Sequence, residues 1–145
     1  SRKDFKISSP IGTSLPLLAG AVGKVFLSRM TQTDARDYIL EKGLVRFTPR
    51  TIMDPEPYLK ELETVRKTGV AFDDEEYISG VKAVAAPIQE VGVYTPAIWV
   101  VGFTAGMDDE QIPAIMVQFK YLLVPIQFET KLVLIIPTGH RNAHQ

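Results

Sequence analysis

The chain has 145 residues, 46% hydrophobic and 23% charged, with a formal net charge of −1 and no cysteine. That size fits one domain with a real core, and zero cysteines exclude disulfides and thiolate metal sites. The charges are interspersed, so no basic face for nucleic acid is advertised; no apolar run approaches the roughly 18 residues of a membrane span, and no signal-peptide pattern opens the chain, which together lead us to expect a cytoplasmic protein.

Ser1 to Thr13 is mixed and polar, with Phe5 and Ile7 alternating about Lys6 as in a short edge strand. Pro16 opens the first expected helix. Leu17, Leu18, Ala21, Val22, Val25 and Phe26 form its apolar face, and it should end near Met30. Gly20 and Gly23 weaken such a helix by about 1 kcal/mol each, so something should pack close to its backbone. A sheet is the default neighbour and a ligand the sharper one. A second helix is expected from Thr33, as cap, to Lys42, with Gly43 ending it. Leu44 to Thr48 reads as extended, and Thr48-Pro49 as a turn. Asp54-Pro55 is a strong helix start, and Tyr58, Leu59, Leu62 and Val65 give that helix its buried stripe.

Gly69 can stop this third helix, and Val70 to Phe72 is short and apolar. Four consecutive acids follow, Asp73, Asp74, Glu75 and Glu76. Gly80 then allows a turn into Val81 to Ile88, a buried strand. Strand, acidic turn and strand would set carboxylates at the mouth of a sheet, a reasonable wall for a small-molecule pocket. Pro96 to Phe103 is a further strand. Asp108 or Asp109 begins another helix, with Ile112, Ile115, Met116 and Phe119 as its apolar positions. Residues 122–126 and 131–136 are β-rich runs able to form a hairpin, and 137–145 reads as a frayed tail. One α+β domain is expected over residues 1–145, with a mainly antiparallel sheet flanked by helices.

The chemistry on offer is sparse. Both histidines, His140 and His144, lie in the tail, so the body has none for acid–base work near neutral pH. That counts against a triad hydrolase and most zinc sites. Gly20 to Val25 resembles half a phosphate loop, but Leu18 stands where glycine is needed and Val25 where Ser or Thr is needed. Ile11 to Pro16 is no nucleophile elbow, because Pro16 occupies a glycine position. The four acids could meet a cation through oxygen, yet they lack calcium-loop spacing; a solvated turn is the default, with one acid facing inward. Trp99 is by default core, and at a pocket mouth it would supply a flat apolar wall and one indole donor. No cofactor and no metal are expected.

Gly69 to Tyr77 followed by Gly80 to Pro87 resembles the effector-binding domain of the IclR family of bacterial transcriptional regulators. The resemblance extends back through Pro16 to Leu27, which is similar to the family's P-L-H-A-T-A-L-G-K-A-L-L segment, and includes Gly43 to Ile52. It spans roughly residues 10–120. It implies a GAF-like fold, a small-molecule effector held on one sheet face, and a homodimer or homotetramer whose separate winged helix-turn-helix domain contacts DNA. Carried over by position, the effector residues would be Ala21, Val22, Asp73, Val81, Ala83, Trp99 and Val101. Members that bind small oxoacids tend to carry Cys and Ser on the two strands. Ala83, Trp99 and Val101 make this site drier, so the expected effector is larger or more apolar, such as an aromatic acid.

Three departures from the family stand out. No DNA-binding domain is seen, so this chain alone should not recognise an operator. The family's opening helix and strand pair are not seen, and strand-like runs stand in place of its final helix; these runs are expected to fill vacant sheet positions or to pair with another subunit. The expected function is binding without chemistry. The alternatives are a small enzyme using Asp73 or a neighbouring acid as base, and a ligand-free interaction module.

Overall fold

The structure, a computed structural model, describes Pro10, residues 12–87 and 97–107, Glu110, Ile112 and the backbone of residues 131–135. Its first helix, α1, spans Gly20–Leu27 and does not start at Pro16. Residues 16–19 form a separate turn, in which the Ala19 N–H donates to the Pro16 carbonyl at 3.1 Å. Gly20 then takes a φ of +68°, which a right-handed helix cannot continue through. One expected helix is therefore a turn and a shorter helix, and Ser28 to Met30 closes as turns.

Helix α2, Gln32–Lys42, is capped by Thr31 and not by Thr33: the Thr31 hydroxyl accepts from the Asp34 N–H at 3.1 Å. Helix α3, Pro55–Thr68, follows its sequence signals closely. The Asp54 carboxylate accepts from the Glu56 N–H, proline opens the first turn, and left-handed Gly69 closes the helix. Tyr58, Leu59, Leu62 and Val65 are its buried residues, as their spacing indicates.

Four strands make an antiparallel meander: β1 Ala71–Asp74, β2 Val81–Pro87, β3 Ala97–Phe103 and β4 Lys131–Ile135, in that spatial order. Asp73 pairs with Ala83, Ala83 with Val101, and Ala85 with Trp99. Asp73 and Asp74 thus belong to β1, and the turn proper is residues 75–80. Alternation sorts the side chains between two faces. Ala71, Ala83, Ala85, Ala97, Trp99 and Val101 pack with α1. Val70, Val84, Ala86, Val100 and Met107 pack on the opposite face. A third cluster, around Leu27, Ile39, Leu59 and Leu62, ties the three helices together.

This is the expected α+β arrangement of helices on an antiparallel sheet. Residues 131–135 fill a sheet position beside β3, with Trp99 opposite Val133. The other run of the expected hairpin, 122–126, lies outside the described residues. So do the edge strand at Phe5 and Ile7, the tail, and the helix after Asp108 apart from Glu110 and Ile112. Among the described residues no helix is long and apolar enough to cross a membrane.

Candidate effector site

The helix α1 lies on one sheet face, and that placement decides which side chains can meet. Ala21 and Val22 from α1, Ala83 from β2, and Trp99 and Val101 from β3 are all buried in one cluster, with half-buried Val81 packed against it. Asp73 joins them on the same face, two residues from Ala71 and directly opposite Ala83. All seven residues singled out in the sequence are therefore brought together. Among the described residues they meet as a packed contact. Two depressions on the described surface lie elsewhere: one of about 490 Å³ between α3 and β1, lined by Pro57, Lys60, Glu61, Thr64 and Phe72 among others, and one beside Gln32, Glu56 and Glu63.

Two polar atoms stand out in this apolar cluster. The indole Nε1 of Trp99 is buried with no hydrogen-bond partner among the described residues, a costly state for a donor. Asp73 is 3% exposed, and its Oδ1 accepts from the Glu76 N–H at 2.7 Å. Burial pushes its carboxyl up to about 6; the backbone N–H of Glu76 opposes the rise, the Glu76 charge adds to it, and Lys24 and the Tyr77 N–H also oppose it.

Of the two helix glycines, Gly20 answers to the expected sheet contact, through a side chain of β1, and Gly23 to the chain's own preceding turn. A Cβ on Gly20 would stand 2.9 Å from the Asp73 Oδ2, and a Cβ on Gly23 would stand 1.7 Å from the Leu17 carbonyl oxygen. Gly20 makes room for the carboxylate. Gly23 lets the preceding turn fold back over the helix.

Lys24 was not a candidate on sequence, yet it is central here. It is fully buried on α1, and its Nζ donates to the Glu61 carboxylate at 2.9 Å, the Phe72 carbonyl at 2.8 Å and the Glu76 carboxylate at 2.9 Å. The signal was present: a lysine within a buried stripe requires carboxylates, and the acidic run supplies them. Burial raises the Glu76 carboxyl, with Lys24 opposing the shift.

Two acids therefore turn inward, Asp73 and Glu76, where the sequence suggested one. Asp74 and Glu75 meet Arg50 at the surface, at 2.8 and 3.5 Å. The acidic turn is clamped from outside: Thr48 Oγ1 donates to the Glu75 carbonyl at 2.6 Å, and Thr51 Oγ1 to the Glu76 carbonyl at 2.7 Å. Phe47 meets Tyr77 edge-on at 5.0 Å. Among the described residues no group of His, Cys, Asp and Glu could hold a metal. The arrangement can accept and donate hydrogen bonds within an apolar wall, and it presents no activated nucleophile.

Comparison with known proteins matches residues 1–121 to the family described as bacterial transcriptional regulator IclR C-terminal. The transcriptional repressor AllR of Escherichia coli K12 is 33% identical over 107 residues, covering 73% of this chain and 40% of AllR. The chain thus spans well under half the length of this relative. Among solved structures, Thermotoga maritima IclR aligns with a TM-score of 0.71 at 27% identity, over 83% of this chain and 49% of that one. The inducer-binding domain of PobR from Acinetobacter, a double mutant in complex with 3-hydroxybenzoic acid, aligns with a TM-score of 0.65 at 26% identity, over 85% of this chain and 75% of that one.

Proposed function

Because the chain belongs to the IclR family of bacterial transcriptional regulators, matching its C-terminal domain, we propose that it is the effector-sensing part of such a regulator. Its relatives are transcriptional regulators and not enzymes, which removes Asp73 as a general base. The effector is a small apolar or aromatic acid, held between α1 and the sheet by Ala21, Val22, Asp73, Val81, Ala83, Trp99 and Val101. The observation that carries this reading is the buried cluster these residues form, with Asp73 and the Trp99 Nε1, which has no partner among the described residues, as its two polar points. The strand positions Ala83, Trp99 and Val101 carry no hydroxyl or thiol, which favours an apolar body over a small oxoacid. The complex of the similar PobR domain with 3-hydroxybenzoic acid supports the same class.

Ala21 and Val22 pack directly on this face, so an effector enters by parting α1 from the sheet. The bound and closed arrangements then differ, and a ligand selecting one of them shifts the population seen by a DNA-contacting domain elsewhere in the whole protein. Assembly as a homodimer or homotetramer belongs to the same proposal. A thermal-shift series tests it with benzoate and phenylacetate against glyoxylate and pyruvate. At ligand concentrations near 100 Kd the aromatic acids should stabilise by about 2.7 kcal/mol, a Tm rise of several degrees. Stabilisation by glyoxylate or pyruvate alone would overturn the choice of ligand class.

A further inference from the structure

Lys24 has no free proton to offer a ligand. Its ammonium has three donors, and Glu61, Phe72 and Glu76 accept from it at 2.8 to 2.9 Å. An anionic effector on the sheet face therefore does not pair with it. What Lys24 holds lies on both sides of one residue. Phe72, whose carbonyl it binds, immediately precedes Asp73 in β1. Glu76, whose carboxylate it binds, returns its own N–H to Asp73 Oδ1 at 2.7 Å. The charged and titratable groups near Asp73 are Lys24 from α1, Glu76 from the turn, and, across the Lys24 cluster, Glu61 and Tyr58 from α3.

We propose that Lys24 is a positioning residue of the effector site: by tethering Phe72 and Glu76 it fixes the Asp73 carboxylate over Gly20, toward the face shared by Ala83 and Trp99. This rests on the reading of that face as the effector site. It assigns the acidic turn a role distinct from binding. Asp73 meets the ligand, whereas Glu76 and Lys24 set where Asp73 stands. Glu61 satisfies the third ammonium proton from a half-exposed position.

Glu76→Gln and Glu76→Ala separate position from charge. Both remove the same charge, and only glutamine keeps an acceptor for Lys24. The readouts are the Asp73 carboxyl titration by carbon-detected NMR on the unliganded 145-residue protein, and the Kd for benzoate. The expected result is an Asp73 midpoint that differs between the two variants. Benzoate affinity should stay within about threefold of the parent for E76Q and fall about tenfold or more for E76A and for Lys24→Met. Identical Asp73 titrations and identical benzoate affinities in E76Q and E76A would overturn the role of Lys24. Should K24M fail to fold, the Gln/Ala pair still decides. Should benzoate bind none of the proteins, the parent included, the ligand class fails while the Asp73 titration still reports on the tether.

Discussion

Asp73 sits where its charge is disfavoured. Its carboxyl is raised to about 6 from an ordinary value of 3.8, chiefly by burial. A carboxyl raised on folding contributes stability that is full below its unfolded value and is lost as pH rises through its folded one. Stability should therefore fall between about pH 4 and 6, and Glu76, also raised, acts in the same direction. Asp73→Asn keeps an acceptor for the Glu76 N–H and removes the charge. It should flatten this slope and stabilise the protein at pH 8 by about 2–3 kcal/mol, the cost of ionising a carboxyl held at about 6 where an exposed one ionises at 3.8. Urea unfolding of both proteins at pH 4, 6 and 8 checks this; parallel pH profiles would show that Asp73 is not strained by burial. Binding of an acid should follow the same logic, tightening as pH falls through about 6, because a neutral Asp73 no longer repels a carboxylate. Gly23→Ala meets a different obstacle. Its Cβ would lie 1.7 Å from a main-chain oxygen, which only backbone movement can relieve, so the Tm should drop by an amount equivalent to at least about 2 kcal/mol.

At the scale of elements, the acidic turn is held from within by Lys24 and Asp73 and from outside by short polar contacts from a neighbouring loop. Thr51 Oγ1 accepts from the Phe47 and Thr48 N–H groups and donates to the Glu76 carbonyl. Thr51→Val should cost about 1–3 kcal/mol by leaving those groups unpaired. It should also speed amide hydrogen exchange in residues 75–80 more than in β2 or α3; uniform acceleration across the domain would mean that the loop does not clamp the turn. The elements themselves were readable to different degrees. Helix α3 was nearly complete in the sequence because Asp54, Pro55, the stripe and Gly69 all act locally. The start of helix α1 departs from its local signals: Pro16 and an apolar spacing argue for helix, while the need to seat Gly20 beside Asp73 is a contact across about fifty residues of chain. The cap of α2 is ambiguous in sequence because Thr33 offers the same side chain two residues after Thr31.

For the molecule as a whole, the pairing of Asp73 with Ala83, and of Ala83 with Val101, put a carried-over list of residues onto one face. Composition and spacing gave the strands and the apolar character of that face; which positions matter came from resemblance to a family. Neither route pointed to Lys24, whose three partners lie 37 to 52 residues away in sequence. The glycines of α1 did signal a sheet close by; how closely the two approach depends on the small side chains at Ala21, Ala83 and Ala85. The domain is a sheet face covered by α1, and one buried lysine fastens that helix to the strand it overlies.

The chain has one tryptophan, and its indole N–H lies in the cluster with no hydrogen-bond partner among the described residues. A single resonance in a nitrogen–proton correlation spectrum therefore reports directly on the proposed site. We expect benzoate to shift the Trp99 indole peak in a saturable way at pH 6, with smaller changes at pH 8 and none from glyoxylate or pyruvate at equal concentration. An indole peak unmoved by saturating aromatic acid, while backbone amides elsewhere in the domain shift, would contradict the account.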